Sequence, residues 1–203
     1  QSGSVNTARV VSEELLKDYP GASVYCVDSL NACLGEGALA IEAAKLAETG
    51  IGAEEVFKKV QAMRKRVNEY CTVHSLEFLR RAGRVKGPAA FFGNLMGVKP
   101  IIVADADGAQ AAFKKVKGRQ ASFREIVALL KESIVNPEEQ TIYLAHADCS
   151  EEEVEELKAL VKAEIPCKEI FVGYIGPIIG ASIGPDAVAL IGFGKEVTFR
   201  AAE

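Results

Sequence analysis

Two short stretches of the 203-residue chain carry residue types that could do chemistry. Ser2, Gly3 and Ser4 stand at the head of "SVNTARVVSEELL", where hydroxyls and free backbone N–H groups would converge with the positive end of a helix dipole. Such a turn serves either as a simple cap or as a seat for an anion. The second stretch, "HADC", sets His146, Asp148 and Cys149 together at the end of an apolar run, where α/β folds often place reactive groups. Neighbours in sequence rarely face one another, because a nucleophile and its base normally meet through the fold. A hydrolase or transferase using His146 and Cys149 is therefore one reading, and a binding module is the other. The cysteines at 26, 33, 71, 149 and 167 form no CxxC pair, and two histidines give no metal-ligand spacing. No cofactor or metal is expected, and reduced thiols suit the cytoplasm.

Composition narrows the classes further. A chain that is 49% hydrophobic and 26% charged reads as an ordinary soluble globular protein. Its net charge of -4 argues against a nucleic-acid partner, and "KKVKGR" (114 to 119) reads as a solvated strand end. No uncharged apolar run reaches the ~18 residues needed to span a bilayer. The stretch "IFVGYIGPIIGASIGP" (170 to 185), broken by Gly and Pro, reads as strand, turn and strand.

The elements that must position these residues follow an α/β order. Val5, Ala8, Val11 and Leu15 predict a first helix with one apolar stripe turned inward. "ASVYCVDS" (22 to 29) predicts a buried strand, with helices over 35–50 and 53–70 after it. From Cys71 the pattern gives a helix at 75–85, a short apolar helix at 88–97, and two strands over 99–118 joined by a turn at Ala106-Asp107-Gly108. Then come helix "SFREIVALLKESI", strand "TIYLAHA", helix "EEEVEELKALVKA", strand "KEIFVGYIG" and a last strand near "DAVALIGFG". The expected architecture is two α/β domains. Residues 1–70 would hold a partial parallel sheet with flanking helices, and residues 71–203 a mixed sheet with helices. A strand at Val24 to Val27 needs a neighbour that no earlier residue supplies, so the chain is expected to start inside a domain.

"SGS" before a helix, "DSLNACLGEGALAIEAAKLAETG", "SLEFLRRAGRV", "GNLMGVKPII", "KVKGR", "HAD" and "IGPIIGASIGPDAVAL", in this order, resemble the DegV family of bacterial fatty-acid-binding proteins, over about residues 2 to 194. The resemblance implies two α/β domains with one long-chain fatty acid between them. It also implies a partner, a dihydroxyacetone-kinase-like enzyme that phosphorylates the bound acid. Ser2, Gly3 and Ser4 match the family's Ser-Gly-Thr carboxylate-binding turn, with Ser4 in place of Thr. Members begin with a strand carrying an Asp-Ser motif and later place a Ser-containing loop beside the carboxylate, all ahead of that turn, so this chain looks like a DegV protein lacking its N-terminal part.

Candidate lining for the acyl tail is Phe91, Phe92, Leu95 and Met96 on one short helix, with Ile101, Ile178 and Ile179. Arg119 matches a position associated with ligand or kinase contact, and Arg84 matches a structural one. At the polar end "GASIGPD" departs from the family's Gly-Thr-His-Val-Gly-Pro-Gly: Ser182 stands where His is usual and Asp186 where Gly is usual. His74 stands in a segment where the family usually has Asp. Ser182 can donate to a carboxylate but cannot carry a positive charge, and Asp186 would set an anion near the site. Weaker retention of a free fatty acid is the expected result, and a diverged domain that no longer binds lipid stands as the further alternative beside the hydrolase or transferase reading.

Overall fold

The computed structural model describes residues 2–86 and 97–201. Its centre is a six-stranded sheet, with strands β1 (Val67–Thr72), β2 (Val98–Ala104), β3 (Gln110–Lys117), β4 (Thr141–Ala147), β5 (Glu169–Tyr174) and β6 (Ala187–Phe193) in the order β3-β2-β1-β6-β4-β5. Only β4 and β5 run parallel; every other pair is antiparallel, so the sheet is mixed as the sequence predicts. β4 and β6 read as continuous apolar runs because helices cover both of their faces.

Those helices are α1 (Ser4–Asp18), α2 (Cys33–Glu48), α3 (Ala53–Met63), α4 (Glu77–Arg81), α5 (Arg119–Ser133), α6 (Glu151–Glu164) and α7 (Pro177–Ile183). On one face Ala38 and Leu39 of α2 and Val60 of α3 pack with Val67, Cys71, Tyr143, Ala189 and Ile191. On the other, Phe123, Ile126 and Leu130 of α5 and Leu157 and Val161 of α6 enclose Ile101, Leu144, Val188 and Leu190. β1 spans 67 to 72 in the middle of the sheet, and α2, from the part of the chain before it, packs on that sheet.

Four expectations are corrected. The helix predicted over 53–70 stops at Met63, and after a 3-10 turn at Arg64–Arg66 the chain becomes β1. Val67, Tyr70 and Thr72 suit a strand, and partners on both sides outweigh the helical periodicity that precedes them. Residues 177–183 form a helix, α7, where a turn and strand are predicted. Gly176 caps it, Pro177 fills its first turn, where no N–H is needed, and Gly184 ends it at φ 84°. Residues 22–29 form no strand, because among the described residues none of the six strands lies beside them to complete a ladder. The apolar stripe of α1 is not turned inward: Val11 and Leu15 are each 50% exposed, and no residue of the helix is buried. The helix predicted at 88–97 falls on residues of which all but Gly97 lie outside the described ones.

Glu69 interrupts the core. Strand alternation sets it between Val67 and Cys71 on the α2 face, and its Oε2 is buried without a partner. Burial pushes its pKa up to about 7, although the Ala32 N–H and the Gln110 amide favour the charged form. The folded chain thus holds a proton that the unfolded chain releases near the ordinary carboxylate range, and stability falls as pH rises toward 7 and stays lower above it. Glu69→Gln should therefore raise stability by roughly 1–3 kcal/mol at pH 8, with the gain shrinking toward pH 5. Urea denaturation at the two pH values checks this; equal gains at both would show that Glu69 does not titrate in the fold.

Candidate functional site

One end of the sheet collects most of the polar candidates. Thr72, near the exit of β1, pairs with Ile101 of β2 and Val188 of β6; Ala147 pairs with Ala187, His146 with Tyr174, and Val98 with Lys117. These registers bring the exits of β1, β3, β4 and β5 together with the entries of β2 and β6. The connections at that end carry His74, Lys99, Arg119, Cys149 and the turn from α7 into β6 with Ser182 and Asp186.

Arg119 opens α5 and is clamped from three sides. Its Nε donates to Glu153 Oε1 at 2.8 Å, Nη2 donates to Glu153 Oε2 at 3.4 Å and to Cys149 Sγ at 3.6 Å, and the guanidinium lies 4.6 Å from the Phe123 ring centroid. Glu153 is itself fixed by the α6 cap, where its N–H donates to Ser150 Oγ. Arg119 Nη1 is buried with no acceptor. A held guanidinium with one idle donor is suited to receive an oxyanion.

Lys99 Nζ lies 3.1 Å from His74 Nδ1, and the same Nδ1 lies 3.7 Å from Asp186 Oδ2. Burial pulls the Lys99 ammonium's pKa down, and the nearby Arg119 cation adds to that, against the pull of Asp186 and Glu153. Asp186, the anion that the sequence sets near the site, thus faces an imidazole. Asp186 has φ 60° and Gly184 φ 84°, and a Cβ at Gly184 would come 2.5 Å from Phe78 Cδ2, so the turn is pressed onto α4 and needs its glycine.

The other predicted residues are distributed as follows. Ser182 is half-buried on α7, and its hydroxyl donates to Ile178 O at 3.2 Å, leaving its oxygen as an acceptor. Ile179 packs against the α2-side core, whereas Ile178 is 86% exposed. Ile101 is fully buried within the α5-side core, enclosed by protein. Phe92 and Leu95, with Phe91 and Met96, lie outside the described residues. Ser2, Gly3 and Ser4 are exposed at the head of α1. Gly3 is the N-cap, Ser2 Oγ accepts the Ser4 N–H at 3.2 Å, and the two hydroxyls bond at 3.0 Å. No acidic residue stands in the first turn of α1, so its positive end is uncompensated there.

His146 and Cys149 do not form a catalytic pair. His146 is buried with Nδ1 unpartnered and its ring 4.6 Å from that of Tyr174, and burial lowers its pKa. Cys149 donates to Ala187 O at 3.5 Å, and its thiol is pushed up to about 11, chiefly by burial. Sequence reasoning missed Lys99 and Glu153. Lys99 lies within the quoted "GNLMGVKPII", and Glu153 reads as one more acid on a solvated helix; only the fold brings them to Arg119. A small hollow lined by Asn31, Arg64, Val67, Asp105 and Val197 holds none of the predicted site residues.

The Arg119 clamp makes a measurable prediction. At pH 8 only roughly a thousandth of Cys149 is thiolate, so alkylation should be slow. Glu153→Gln removes an anion that opposes the thiolate and frees Arg119 to favour it. Labelling of Cys149 by iodoacetamide should then accelerate about threefold or more, and an unchanged rate would show that the clamp does not govern the thiol.

Comparison with known proteins agrees with this architecture. A family model described as "Uncharacterised protein, DegV family" matches residues 1–195. A DegV domain-containing protein of Clostridium perfringens is 39% identical over 197 residues, covering 96% of this chain and 67% of its own length. A solved DegV family protein from Thermus thermophilus, described for its fatty acid binding, aligns with TM-score 0.84 at 27% identity, over 96% of this chain and 67% of that one. Bacillus subtilis DegV, solved and described as a fatty acid binding protein, aligns with TM-score 0.71 at 31% identity, over 85% of this chain and 61% of its own. This chain thus spans roughly two thirds of these relatives' length. The matched model covers both the Ser2-Gly3-Ser4 turn and the strand-end cluster, and the chain belongs to the DegV family.

Proposed function

We propose that this chain binds one long-chain fatty acid and presents it to a dihydroxyacetone-kinase-like fatty acid kinase in the cytoplasm. The observation that carries the reading is that two relatives more than a quarter identical, sharing this fold, are described as fatty-acid-binding proteins. The chain's own residues support it. Ile178 keeps 86% of its surface in water on the helix that carries Ser182, an apolar exposure that a buried acyl tail would relieve. Arg119 Nη1 and the α1 head with Ser2, Gly3 and Ser4 are the polar groups available to a carboxylate or its phosphorylated form, and Ser182, whose hydroxyl is donated to Ile178 O, joins them only by turning that proton to the ligand.

Energetics assign the parts different roles. A carboxylate at a helix N-terminus gains about 0.3–2 kcal/mol from the dipole and more from charge-assisted bonds. About 14 buried methylenes at roughly 0.8 kcal/mol each contribute on the order of 11 kcal/mol before the cost of ordering a flexible chain is subtracted. The tail supplies affinity and the polar end supplies orientation. The chain acts in this reading as a carrier, with phosphoryl transfer performed by the partner. Among the described residues no helix is long and apolar enough to cross a membrane, and all five cysteines are free thiols, which fits a reducing compartment.

Native mass spectrometry of the gently purified chain should show one retained fatty acid. After delipidation the chain should bind a fluorescent fatty acid saturably, Ile178→Asp should weaken binding about tenfold or more, and the double change Ser2→Ala with Ser4→Ala about threefold to tenfold. A fatty acid kinase should phosphorylate the bound acid and lose that activity with the Ile178→Asp chain. Absence of both a retained acid and saturable binding would overturn the reading.

A further inference from the structure

His74 Nδ1 stands between two partners that require opposite states of it. The Lys99 ammonium can only donate, so the contact at 3.1 Å needs a lone pair on Nδ1. The Asp186 carboxylate can only accept, so the contact at 3.7 Å gains from a proton there. One nitrogen cannot serve both. Because an imidazole changes charge between pH 5 and 8, a proton on Nδ1 exchanges its tie from Lys99 on β2 to Asp186 on the turn after α7.

The surroundings leave that choice to His74. Arg119 at the head of α5 and Glu153 on α6 satisfy each other at 2.8 Å, and Glu77 at the head of α4 is paired with Arg81. Lys99 and Asp186 remain as the cation and anion facing the imidazole. The turn that would respond is closely fitted: Gly184 lies against the Phe78 ring and Asp186 is in the left-handed region, so a changed tie at Asp186 is carried into the segment that holds Ser182.

We propose that His74 is a positioning residue whose protonation transfers its contact from Lys99 to Asp186, and that this exchange makes the polar end retain a carboxylate more firmly at lower pH. The second half rests on the fatty-acid reading above. With Nδ1 protonated, Asp186 is neutralised as a repelling charge and Lys99 is released to face the ligand. An imidazole is thereby present at the polar end although Ser182 occupies the position where the family usually has His.

Two measurements separate this from the fatty-acid reading. In the ligand-free chain, the backbone amides of Gly184, Asp186 and Ala187, followed by NMR from about pH 5.5 to about pH 8.5, should show a chemical-shift step that is absent in His74→Gln and reduced in Asp186→Asn. A step that persists in His74→Gln overturns the exchange, whatever the chain binds. In the delipidated chain, cis-parinaric acid should bind about threefold to tenfold more tightly at pH 6.5 than at pH 8, and His74→Gln should abolish the difference while retaining cooperative unfolding. Equal pH dependence in the chain and in His74→Gln overturns the role in retention. If cis-parinaric acid fails to bind at either pH, the carrier reading and the retention role fall together, while the amide shifts still decide the exchange itself.

Discussion

The pairing of β1 with β6 is the constraint on which the remaining structure depends. β1 leaves the helical first part of the chain, and β6 arrives only after every other strand has been laid down, yet the two lie side by side in the middle of the sheet with Val67 opposite Phe193 and Thr72 opposite Val188. The seam is fastened at one end by side chains as well as by its ladder. Asn68 Nδ2 donates to Arg66 O and Lys195 O, and Arg66 Nε donates to Gly194 O. Gly194 must be glycine for a packing reason, since a Cβ there would fall 2.2 Å from Ser133 O. A one-residue slip would turn Cys71 and Glu69 onto the α5 face and expose Tyr70 to the α2 side, so both cores fix the same register.

The same seam assembles the polar end. Because Thr72 is opposite Val188, the residues that follow β1 lie across from those that precede β6, and this places His74 beside Asp186. β2 enters alongside with Lys99, and β3 exits into α5 with Arg119 at its head. The cluster is assembled from four separate connections, none of which is chemically distinctive alone. Within it Arg119 and Glu153 compensate each other at 2.8 Å, while His74 stands between the Lys99 ammonium and the Asp186 carboxylate, which is how cations and carboxylates can be crowded at a sheet end without strong mutual repulsion.

The sequence discloses the parts of this design that depend on local pattern. β4, β6, α5 and α6 are legible because continuous apolar runs and helical periodicity mark a sheet covered on both faces, and β5, a half-exposed edge strand, is legible from its β-branched and aromatic residues. The mixed sheet follows from the β2 and β3 hairpin with its turn near Gly108. Residues 22–29 mislead because a β-branched, aromatic run satisfies the strand pattern whether or not a neighbour exists to pair with it. α7 misleads in the other direction, since Gly-Pro reads as a turn when here it begins a helix. The stripe of α1 is amphipathic without being buried among the described residues, a distinction that periodicity does not contain. At the site, Arg119 and Ser182 are visible through family resemblance, but Lys99, Glu153 and the pairing of His74 with Asp186 are long-range contacts with no signature in spacing.

The buried polar atoms that lack partners show how the two ends of the sheet differ. Each such atom costs about 1–3 kcal/mol unless something meets it. Asn31 Oδ1, Glu69 Oε2 and Arg64 Nε belong to the neighbourhood of the loop that leads into α2, and they include two acceptors and one donor. A proton on Glu69 converts one of those acceptors into a donor, so that group can balance itself, in keeping with the raised carboxyl. Thr72 Oγ1, Arg119 Nη1 and His146 Nδ1 belong instead to the strand ends on the α5 and α6 side. Arg119 Nη1 can only donate, Thr72 is able to donate, and of the carboxylates at that end among the described residues Glu153 is held by Arg119 and Asp186 faces His74. A protonation change cannot satisfy a guanidinium that is already fully protonated. What would satisfy it is an acceptor brought from outside the chain, which is the role the proposed function gives to the head group of the fatty acid.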